Sequence, residues 1–297
     1  MRIGFIGLGR MGLPVAANIA AAGHHVQVTD IRLALVDQAR TVGLSWQPSA
    51  AEAADGADVL ITMLPGPDEC RTAMLGDNGA LAALTTGAVW VDLTSNSPQV
   101  GAHIAALAAG RGVQVLDAPV GGDPAAAIAG TLTLFVGGDA QLLESQRPLL
   151  AGIADRIWHC GPAGAGYLTK LLVNEMWFAH AVATAEVMLL AGRSGLDLAA
   201  LQTILAQSAG SSVFVEKHLP ALMGGDYLRT FPIDRVVQEL QTVSGLAREL
   251  GLSTAVADAV LAVHHAAQQR FGSVDGELLG VALLEEQAGQ LIRRDPR

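Results

Sequence analysis

Short apolar segments alternate with helical segments along the first half of the chain. Apolar runs predict strands at residues 2–7, 25–30, 58–64, 88–94, 113–120 and 132–138. Between most of them, alanine and leucine recur with helical spacing, at residues 11–22, 33–41, 49–55 and 97–110. Strands that alternate with helices require crossover connections, and these predict a doubly wound, mainly parallel sheet with helices on both faces.

The pattern changes after about residue 162. Only helical spacing follows, at residues 164–192, 197–208, 214–223, 232–250, 253–270 and 276–293. Glycine-rich and proline-containing segments separate these helices. We therefore predict an α/β domain of the nucleotide-binding type over residues 1–162 and an all-helical domain over residues 163–297.

The first predicted strand runs directly into a glycine-rich turn, "GFIGLGRMG". Its three turn glycines have the G-x-G-x-x-G spacing of dinucleotide-binding domains of the Rossmann type. In such turns the first glycine permits a tight bend, the second lets a pyrophosphate approach the backbone, and the third lets the helix pack on the strand. The helix that follows adds free N–H groups and a positive dipole end. We predict cofactor contacts from Gly7, Leu8, Gly9, Arg10, Met11 and Gly12.

An acidic residue, Asp30, closes the second predicted strand at the distance expected for binding the adenosine ribose. A carboxylate here accepts hydrogen bonds from the ribose hydroxyls and repels a 2′-phosphate, which favours NAD. Arg32 argues the other way, because a guanidinium two residues later can hold a 2′-phosphate. A third interpretation is that Asp30 only caps the helix predicted from residue 33. The sequence predicts NAD as the cofactor and leaves NADP possible.

A proline-containing loop follows the third predicted strand, at the sheet edge where ligands bind in open α/β folds. Its sequence, "TMLPGPDE" (62–69), holds two prolines near one glycine. Such a loop is stiff enough to lie against a cofactor, so we predict cofactor contacts from Met63, Leu64 and Pro65.

Two further loops follow predicted strands at the same edge. "DLTSNSP" (92–98) supplies small hydrogen-bonding groups suited to a nicotinamide or a substrate, among them Thr94 and Ser95. The same stretch fits an N-cap for a helix that starts near Pro98, and both interpretations can hold together. "DAPVGGDPAAAIAG" (117–130) places a glycine pair after a strand, which exposes backbone N–H groups.

The segment "GYLTKLLVNEMWF" (166–178) is a buried helix by its pattern, yet it contains one lysine, Lys170. A cation among apolar side chains costs several kcal/mol unless it is paired, neutralised or used. One interpretation is that the amine extends to water along the helix surface. The other is a role in chemistry, shared with Asn174, which lies four residues on and therefore on the same helical face.

The chain resembles the β-hydroxyacid dehydrogenases, the group that contains 3-hydroxyisobutyrate dehydrogenase. The stretches "GFIGLGRMG", "DLTSNSP", "DAPVGG…GTLTLFVGG" and "GAGYLTKLLVN" match the family in order and spacing over essentially the whole chain. The resemblance implies a Rossmann domain joined through one long helix to a helical domain that serves substrate binding and dimerisation. It also implies that Lys170 is catalytic, that Asn174 helps to hold the substrate, and that Ser95 contacts nicotinamide and substrate.

Three positions depart from the family's usual pattern. Gly121 stands where "DAPVSGG" has its serine, and Val173 stands where a second asparagine usually precedes the one matched by Asn174. Gln238, followed by Glu239, replaces the lysine of the family's "KDL". These departures leave the reaction type in place and leave the substrate open.

Substrate contacts are expected from the loop that carries the serine-to-glycine departure. Gly121 and Gly122 offer backbone donors but no hydroxyl. Asp123 either caps the helix starting at Pro124 or meets a cationic or hydroxyl-rich group, such as the amine of a β-hydroxy amino acid. Substrate-binding residues are therefore expected to be Ser95, Gly121, Gly122, Asp123, Lys170 and Asn174.

The function implied is hydride transfer between NAD(P) and a small β-hydroxy acid or its semialdehyde. Lys170 would accept the hydroxyl proton as a neutral amine in oxidation and donate it as an ammonium in reduction. Two alternatives stay open. Imine reductases share the architecture but generally carry another residue at the position of Lys170, and the departures also fit a cofactor-binding protein that has lost activity.

The composition argues against a nucleic-acid partner and leaves a small molecule as the expected partner. A net charge of -10 without a basic cluster argues against nucleic acid. Cys70 and Cys160 lack metal-ligand spacing and suggest a reduced, cytoplasmic protein in which each thiol is a small core residue, while His264 and His265 fit the surface. No metal is expected.

The segment 171–192 is the most apolar long stretch of the sequence. The charged residues within it argue against a membrane span. Its apolar side chains lie around the whole helix circumference, which favours burial in a homodimer or homotetramer.

Overall fold

The alternating segments of the first half form one nine-stranded sheet in the computed structural model, which describes residues 1–293. The strands are β1 (Arg2–Ile6), β2 (His25–Thr29), β3 (Ser45–Trp46), β4 (Val59–Thr62), β5 (Val89–Asp92), β6 (Gln114–Asp117), β7 (Val120–Gly121), β8 (Leu132–Gly138) and β9 (Ala154–Gly161). Their spatial order is β3-β2-β1-β4-β5-β6-β8-β7, and β9 also pairs with β8. Strands β1 to β6 are mutually parallel, whereas β8 runs antiparallel to β6 and β7. The predicted doubly wound, mainly parallel sheet is confirmed.

Eight helices accompany this sheet within the described part of the chain. They are α1 (Gly12–Ala21), α2 (Val36–Thr41), α3 (Ala50–Ala54), α4 (Pro67–Leu75), α5 (Ala80–Ala83), α6 (Pro98–Ala109), α7 (Pro124–Ala129) and α8 (Ala140–Leu150). A 3₁₀ turn, Leu33–Leu35, opens the segment predicted as one helix from residue 33. Ser97 caps α6 through a hydrogen bond from the Val100 N–H, as the proline-led start of that helix indicated.

The sheet is buried on both faces, and successive residues of one strand enter different cores. In β4, Val59 and Ile61 join the cluster on one face, while Leu60 joins the cluster on the other. In β5, Trp90 joins the same cluster as Leu60 and is fully buried. This explains why the central strands are apolar almost throughout instead of alternating between apolar and polar residues.

The strand assignments made from the sequence are wrong at three places. The segment predicted as one strand at 113–120 contains two strands, β6 and β7, separated at Ala118–Pro119 because proline has no N–H for a ladder bond. β3 has only two residues, too few to give a pattern. β9 is largely exposed or half-buried and pairs irregularly with β8, so its sequence carries little apolar signal.

The chain divides into two compact units between Lys170 and Leu171, whereas the change of pattern placed the boundary at residue 162. The division falls inside the long helix α9 (Ala165–Arg193). The remaining helices are α10 (Leu198–Ala206), α11 (Leu219–Met223), α12 (Ile233–Glu249), α13 (Ala255–Phe271) and α14 (Leu279–Ala288), with a π-helical turn at Phe214–His218. Within residues 171–293, β structure is limited to an isolated bridge between Pro232 and Asp275.

Helix α12 organises the core of the second unit. Its Val236 and Leu240 pack with Phe178 of α9 and Val260 of α13, and its Ile233 belongs to a neighbouring cluster. The apolar residues of α12 recur with helical spacing, and the opposite face of the helix is polar.

Two side-chain placements differ from expectation. His264 is 1% exposed, and its Nδ1 lies 2.9 Å from the Val260 carbonyl, so the surface assignment is wrong for this residue. Neighbouring helical residues point about 100° apart, and His265 is the exposed member of the pair. Cys70 is buried as expected, but Cys160 is only half-buried because it lies on β9.

Within residues 1–293 we find no helix with the length and apolar content that a membrane crossing needs.

The buried carboxyl group of Glu175 on α9 lowers the stability of the folded state when it is ionised. Glu175 has a buried Oε2 without a hydrogen-bond partner. Burial raises the pKa of Glu175, and the negative charge of Asp258, which accepts a hydrogen bond from the Ser244 hydroxyl, adds to the rise. The folded state therefore favours the protonated acid. Its stability falls as pH rises from the ordinary glutamate pKa through the raised value.

We expect Glu175→Gln to raise the melting temperature by at least about 2 °C at pH 7.5 and by less near pH 5. The amide keeps the shape of the side chain and removes the buried charge. Thermal melts across this pH range measure the effect. Glu186→Gln, which changes an exposed carboxylate on the same helix, is the control. Equal shifts for both variants at all pH values would contradict the assignment.

Candidate active site

The glycine turn after β1 contains one open position between two crowded ones. A Cβ at Gly7 would lie 2.3 Å from the Met63 carbonyl oxygen, and Gly7 also has a φ of +100°. A Cβ at Gly12 would lie 1.9 Å from the Gly7 carbonyl oxygen. At Gly9, by contrast, the nearest atom to a Cβ is Arg32 Nη2 at 3.9 Å. Packing requires the outer glycines, and the middle one leaves the space that a pyrophosphate needs.

Helix α1 presents a free N-terminus to this space. It begins at Gly12, its N-cap Met11 makes no side-chain cap, and its first turn has no acidic residue. An anion is therefore the natural partner of its N–H groups. Leu8 is buried, so its side chain serves the core while its N–H is donated to Asp30. Arg10 is exposed beside the turn.

Asp30 and Arg32 form a two-pronged ion pair beside the glycine turn. Arg32 Nε and Nη2 donate to the two carboxylate oxygens at 2.9 Å each, and the Arg32 N–H donates to Oδ1 at 2.9 Å. The Leu8 N–H adds a bond of 2.7 Å to Oδ2. Burial alone would raise the pKa of Asp30, but these hydrogen bonds outweigh it and the pKa is lowered. Asp30 is therefore a firmly ionised carboxylate, and it does not cap the following 3₁₀ turn through its side chain.

The loops after β4 and β5 are tied to each other. The Leu64 N–H donates to the Thr94 hydroxyl at 3.1 Å, and Thr94 is buried. Met63 is half-buried, Pro65 is exposed, and Ser95 is half-buried between two buried neighbours. Thr94 therefore holds the two loops together, and Ser95 is the more accessible hydroxyl.

Asp92, the last residue of β5, is a hydrogen-bond hub that the sequence analysis did not identify. It is 0% exposed, and its carboxylate accepts hydrogen bonds from five groups. These are Thr62 Oγ1 at 2.8 Å, the Thr94 N–H at 3.0 Å, Asn96 Nδ2 at 3.0 Å, Cys70 Sγ at 3.6 Å and the Tyr167 hydroxyl at 2.6 Å. Burial raises the pKa of the Cys70 thiol, which stays protonated as a donor.

Asp117, the last residue of β6, is a second buried carboxylate and binds the start of α9. It accepts hydrogen bonds from the N–H groups of Gly164 at 2.7 Å and Tyr167 at 3.1 Å. Burial raises the pKa of Asp117, and the backbone N–H groups of Gly164, Tyr167 and Gly166 oppose that rise. A Cβ at Gly166 would lie 2.2 Å from the Phe135 carbonyl oxygen, so glycine is required where the helix meets the sheet.

The glycine pair of the third loop leads into a short capped helix. Gly121 ends β7, and Gly122 has a φ of +129°, which favours glycine. Asp123 Oδ1 accepts the Ala126 N–H at 2.8 Å and caps α7. The structure therefore shows Asp123 as the N-cap of α7, which is one of the two interpretations. A contact between Asp123 and the substrate stays a prediction.

Lys170 and Asn174 are half-buried and lie one turn apart on α9. Asn174 Nδ2 donates to Glu239 Oε2 of α12 at 2.6 Å, and Glu239 is 6% exposed. The contact uses one of the two N–H groups of the Asn174 amide, so the second N–H and Oδ1 take no part in it. Glu239 appeared in the sequence only as a neighbour of the Gln238 departure. Within the described residues, no group of three histidine, cysteine or acidic side chains is arranged to hold a metal ion.

Comparison with known proteins identifies the family. A family model described as the NAD binding domain of 6-phosphogluconate dehydrogenase matches residues 2–161. A second family model, described as NAD-binding of NADP-dependent 3-hydroxyisobutyrate dehydrogenase, matches residues 164–280. An NAD-dependent L-serine dehydrogenase from Pseudomonas aeruginosa is 37% identical over 86% of this chain and 86% of its own. The chain belongs to the β-hydroxyacid dehydrogenase family. This β-hydroxyacid dehydrogenase is accordingly an NAD(P)-dependent oxidoreductase that acts on CH–OH groups.

Other relatives agree with this assignment. A 3-hydroxyisobutyrate dehydrogenase from Pseudomonas aeruginosa is 38% identical over 71% of this chain and 70% of its own. A solved Mycobacterium tuberculosis 3-hydroxyisobutyrate dehydrogenase, determined with L-serine, has a TM-score of 0.86 at 29% identity and covers 95% of this chain and 98% of that one. An imine reductase from Streptomyces aurantiacus has a TM-score of 0.61 at 22% identity, covering 96% of this chain and 99% of that one, a likeness of fold alone.

The two kinds of glycine in the turn predict different mutant behaviour. We expect Gly12→Ala in this β-hydroxyacid dehydrogenase to lower the melting temperature by about 5 °C or more, because its Cβ collides with backbone. Gly9→Ala should keep the melting temperature and weaken NADH binding by about tenfold or more, because its Cβ fills the phosphate space. Thermal melts and fluorescence titration with NADH measure both effects. Wild-type NADH affinity in a folded Gly9→Ala protein would contradict this placement of the cofactor.

Proposed function

We propose that the chain oxidises the hydroxyl group of a small β-hydroxy acid, or reduces the matching semialdehyde, with Lys170 as general acid/base. One observation carries the proposal. The helix that bears Lys170 is bound at its start to Asp92 and Asp117, at the carboxyl ends of β5 and β6. Because β1, β4, β5 and β6 are parallel, this is the same sheet edge as the glycine turn after β1. Lys170, a half-buried residue, therefore belongs to the first turns of a helix that starts at this edge, which supports its proposed role beside a nicotinamide.

The chemistry requires a proton to move at the substrate oxygen. When bound, the nicotinamide accepts the hydride in oxidation and supplies it in reduction. Lys170, as a neutral amine, takes the hydroxyl proton during oxidation, and its ammonium form returns the proton during reduction. Asn174, whose Nδ2 donates one of its two hydrogens to Glu239, is proposed to hold the substrate through the rest of its amide group. Cofactor contacts are assigned to residues 7–12, Asp30, Arg32, residues 63–65, Thr94 and Ser95.

For the substrate, we propose a β-hydroxy acid, with L-serine as the first compound to test. Two relatives carry serine in their names or titles, one as an L-serine dehydrogenase and one as a structure determined with L-serine. Ser95 and the backbone N–H groups of Gly121 and Gly122 are the proposed donors to the carboxylate. Asp123 is the proposed partner of an amine through Oδ2, since Oδ1 caps α7.

We expect Lys170→Ala to lower turnover by about 100-fold or more while NADH affinity changes little, since only the proton transfer is lost. Serine, 3-hydroxyisobutyrate and their semialdehydes, each with both cofactors, are followed at the nicotinamide absorbance. Lys217→Ala is a matched control, because Lys217 is exposed and is the only other lysine in the sequence.

Three results would contradict the proposal in different ways. Near-normal turnover by Lys170→Ala removes Lys170 from the mechanism. NADH binding without turnover of any compound favours a binding protein that has lost activity. Turnover of cyclic imines without turnover of hydroxy acids favours imine reduction.

For the cofactor, we propose a preference for NAD over NADP. Asp30 is ionised and its side chain is 6% exposed, whereas Arg32 is 54% exposed and is the partner able to move. When the Arg32 side chain turns outward, the fixed carboxylate is left to accept the ribose hydroxyls, and its charge opposes a 2′-phosphate.

We expect Asp30→Asn to shift the ratio of NADH to NADPH affinity toward NADPH by about tenfold or more, because the repelling charge and a charged acceptor are lost. Titration of both cofactors measures the ratio. Asp37→Asn is the control, since Asp37 is an exposed carboxylate on the neighbouring helix α2. An unchanged ratio in Asp30→Asn would contradict selection by this residue.

We also propose a cytoplasmic location and a homodimer or homotetramer. Exposed apolar side chains along α9 support the oligomer, among them Leu172, Met176, Val187 and Leu190. A face of this kind on a long helix favours coverage by a second copy of the chain. The helical domain, proposed to serve dimerisation, would supply that contact, and the substrate remains the small-molecule partner.

A further inference from the structure

We propose that Tyr167 is a positioning residue that sets the location of Lys170, because two buried carboxylates of the sheet hold it at its two ends. The proposal deepens the function proposed for Lys170 and rests on it. It concerns the first compact unit alone, since Tyr167, Lys170, Asp92 and Asp117 all lie within it.

Tyr167 links two adjacent strands through one side chain and its own backbone. Its N–H donates to Asp117 Oδ2 at 3.1 Å, and its hydroxyl donates to Asp92 Oδ2 at 2.6 Å. Asp92 and Asp117 are register partners at the ends of β5 and β6. The first full turn of α9 is therefore attached to the sheet at two separate points, which restricts rotation of the helix as well as translation.

The ring lies in a slot that is shaped for it. Tyr167 is 3% exposed. A Cβ at Gly101 of α6 would lie 2.2 Å from Tyr167 Cε2, so glycine at that position makes room for the ring. Burial, together with the negative charge of Asp92, raises the pKa of Tyr167 well above its usual value. The hydroxyl therefore stays protonated at neutral pH and remains a donor to Asp92.

The same carboxylate also holds the loop that contains Ser95. Asp92 accepts the Thr94 N–H and Asn96 Nδ2, on either side of Ser95, and it accepts the Tyr167 hydroxyl. Lys170 follows Tyr167 by three residues, about 4.5 Å along a rigid helix. Asp92 thus fixes the proposed proton-transfer group and the proposed substrate loop relative to each other. Proton transfer is sensitive to such distances, because displacement by about 1 Å can cost a large factor in rate.

The test removes only the hydroxyl. Tyr167→Phe should fold and keep its NADH affinity, while kcat falls by about tenfold and the pH dependence of kcat/KM moves. In the Lys170→Ala background the same substitution should have no further effect on turnover. Thr62→Val is the matched control, because it removes another donor to Asp92, one that lies on β4 and not on α9. It should lower stability without moving the pH profile.

A second measurement uses the protein without cofactor or substrate. Lys170 and Lys217 are the only lysines of the sequence, so reductive methylation followed by peptide mass spectrometry reports each amine separately. The pH dependence of Lys170 labelling should shift in Tyr167→Phe and stay unchanged in Thr62→Val, with Lys217 as the internal reference in each sample.

The outcomes separate this proposal from the proposed function. Full turnover in Lys170→Ala overturns the role of Lys170, and the positioning role falls with it. If Lys170→Ala is inactive while Tyr167→Phe keeps wild-type kcat, pH profile and labelling, the positioning role alone is overturned. If Tyr167→Phe and Thr62→Val lose kcat to the same extent with unmoved pH profiles, the contact is structural and the proposal is likewise overturned.

Discussion

Two buried carboxylates at the ends of neighbouring strands determine how the candidate site is built. A polar group in a protein interior costs free energy unless it is surrounded by hydrogen-bond partners. Asp92 meets this requirement with five donors drawn from β4, α4, its own loop and α9. Asp117 meets it with backbone N–H groups at the start of α9. Each donor is constrained in turn, because moving away would take a hydrogen bond from a buried carboxyl group. The loop after β5 and the start of α9, which carry the proposed chemistry, are therefore held in place by their hydrogen bonds to these two buried carboxyl groups.

Asp30, beside the glycine turn, is also held by several hydrogen-bond donors, but one of its donors is exposed to solvent. This donor is the Arg32 side chain, which is able to leave. The backbone donors from Leu8 and Arg32 remain when the guanidinium moves. A carboxylate that keeps its backbone bonds and exchanges a side-chain partner for ribose hydroxyls suits a ligand that must bind and dissociate. Asp92 and Asp117, by contrast, have inward-facing partners and suit a permanent framework.

The sequence predicted those features that depend on local pattern. The parallel sheet, the change to helices and the glycine turn each follow from residues that are near one another in the chain. The two carboxylate hubs do not, because Asp92 and Tyr167 are 75 residues apart, and Asp117 and Tyr167 are 50 apart. Both aspartates begin recognisable motifs, "DLTSNSP" and "DAPVGG", but the signal in these motifs comes from the small polar residues and glycines that follow them. The edge strand β9 and the buried His264 were missed for the complementary reason, since a strand with exposed charges and a histidine pair both look like surface.

The departures from the family pattern do not touch the hydrogen bonds that attach the start of α9 to the sheet. The backbone bond of Gly164 to Asp117 and both bonds of Tyr167 are independent of residues 121, 173 and 238. Val173 is exposed on α9, and Gln238 bonds to Arg235 within its own helix. Loss of the usual serine, asparagine and lysine therefore leaves the bonds at the start of α9 intact. The attachment of the helix that bears the proposed proton-transfer group is thus independent of the positions at which this chain departs from the family pattern.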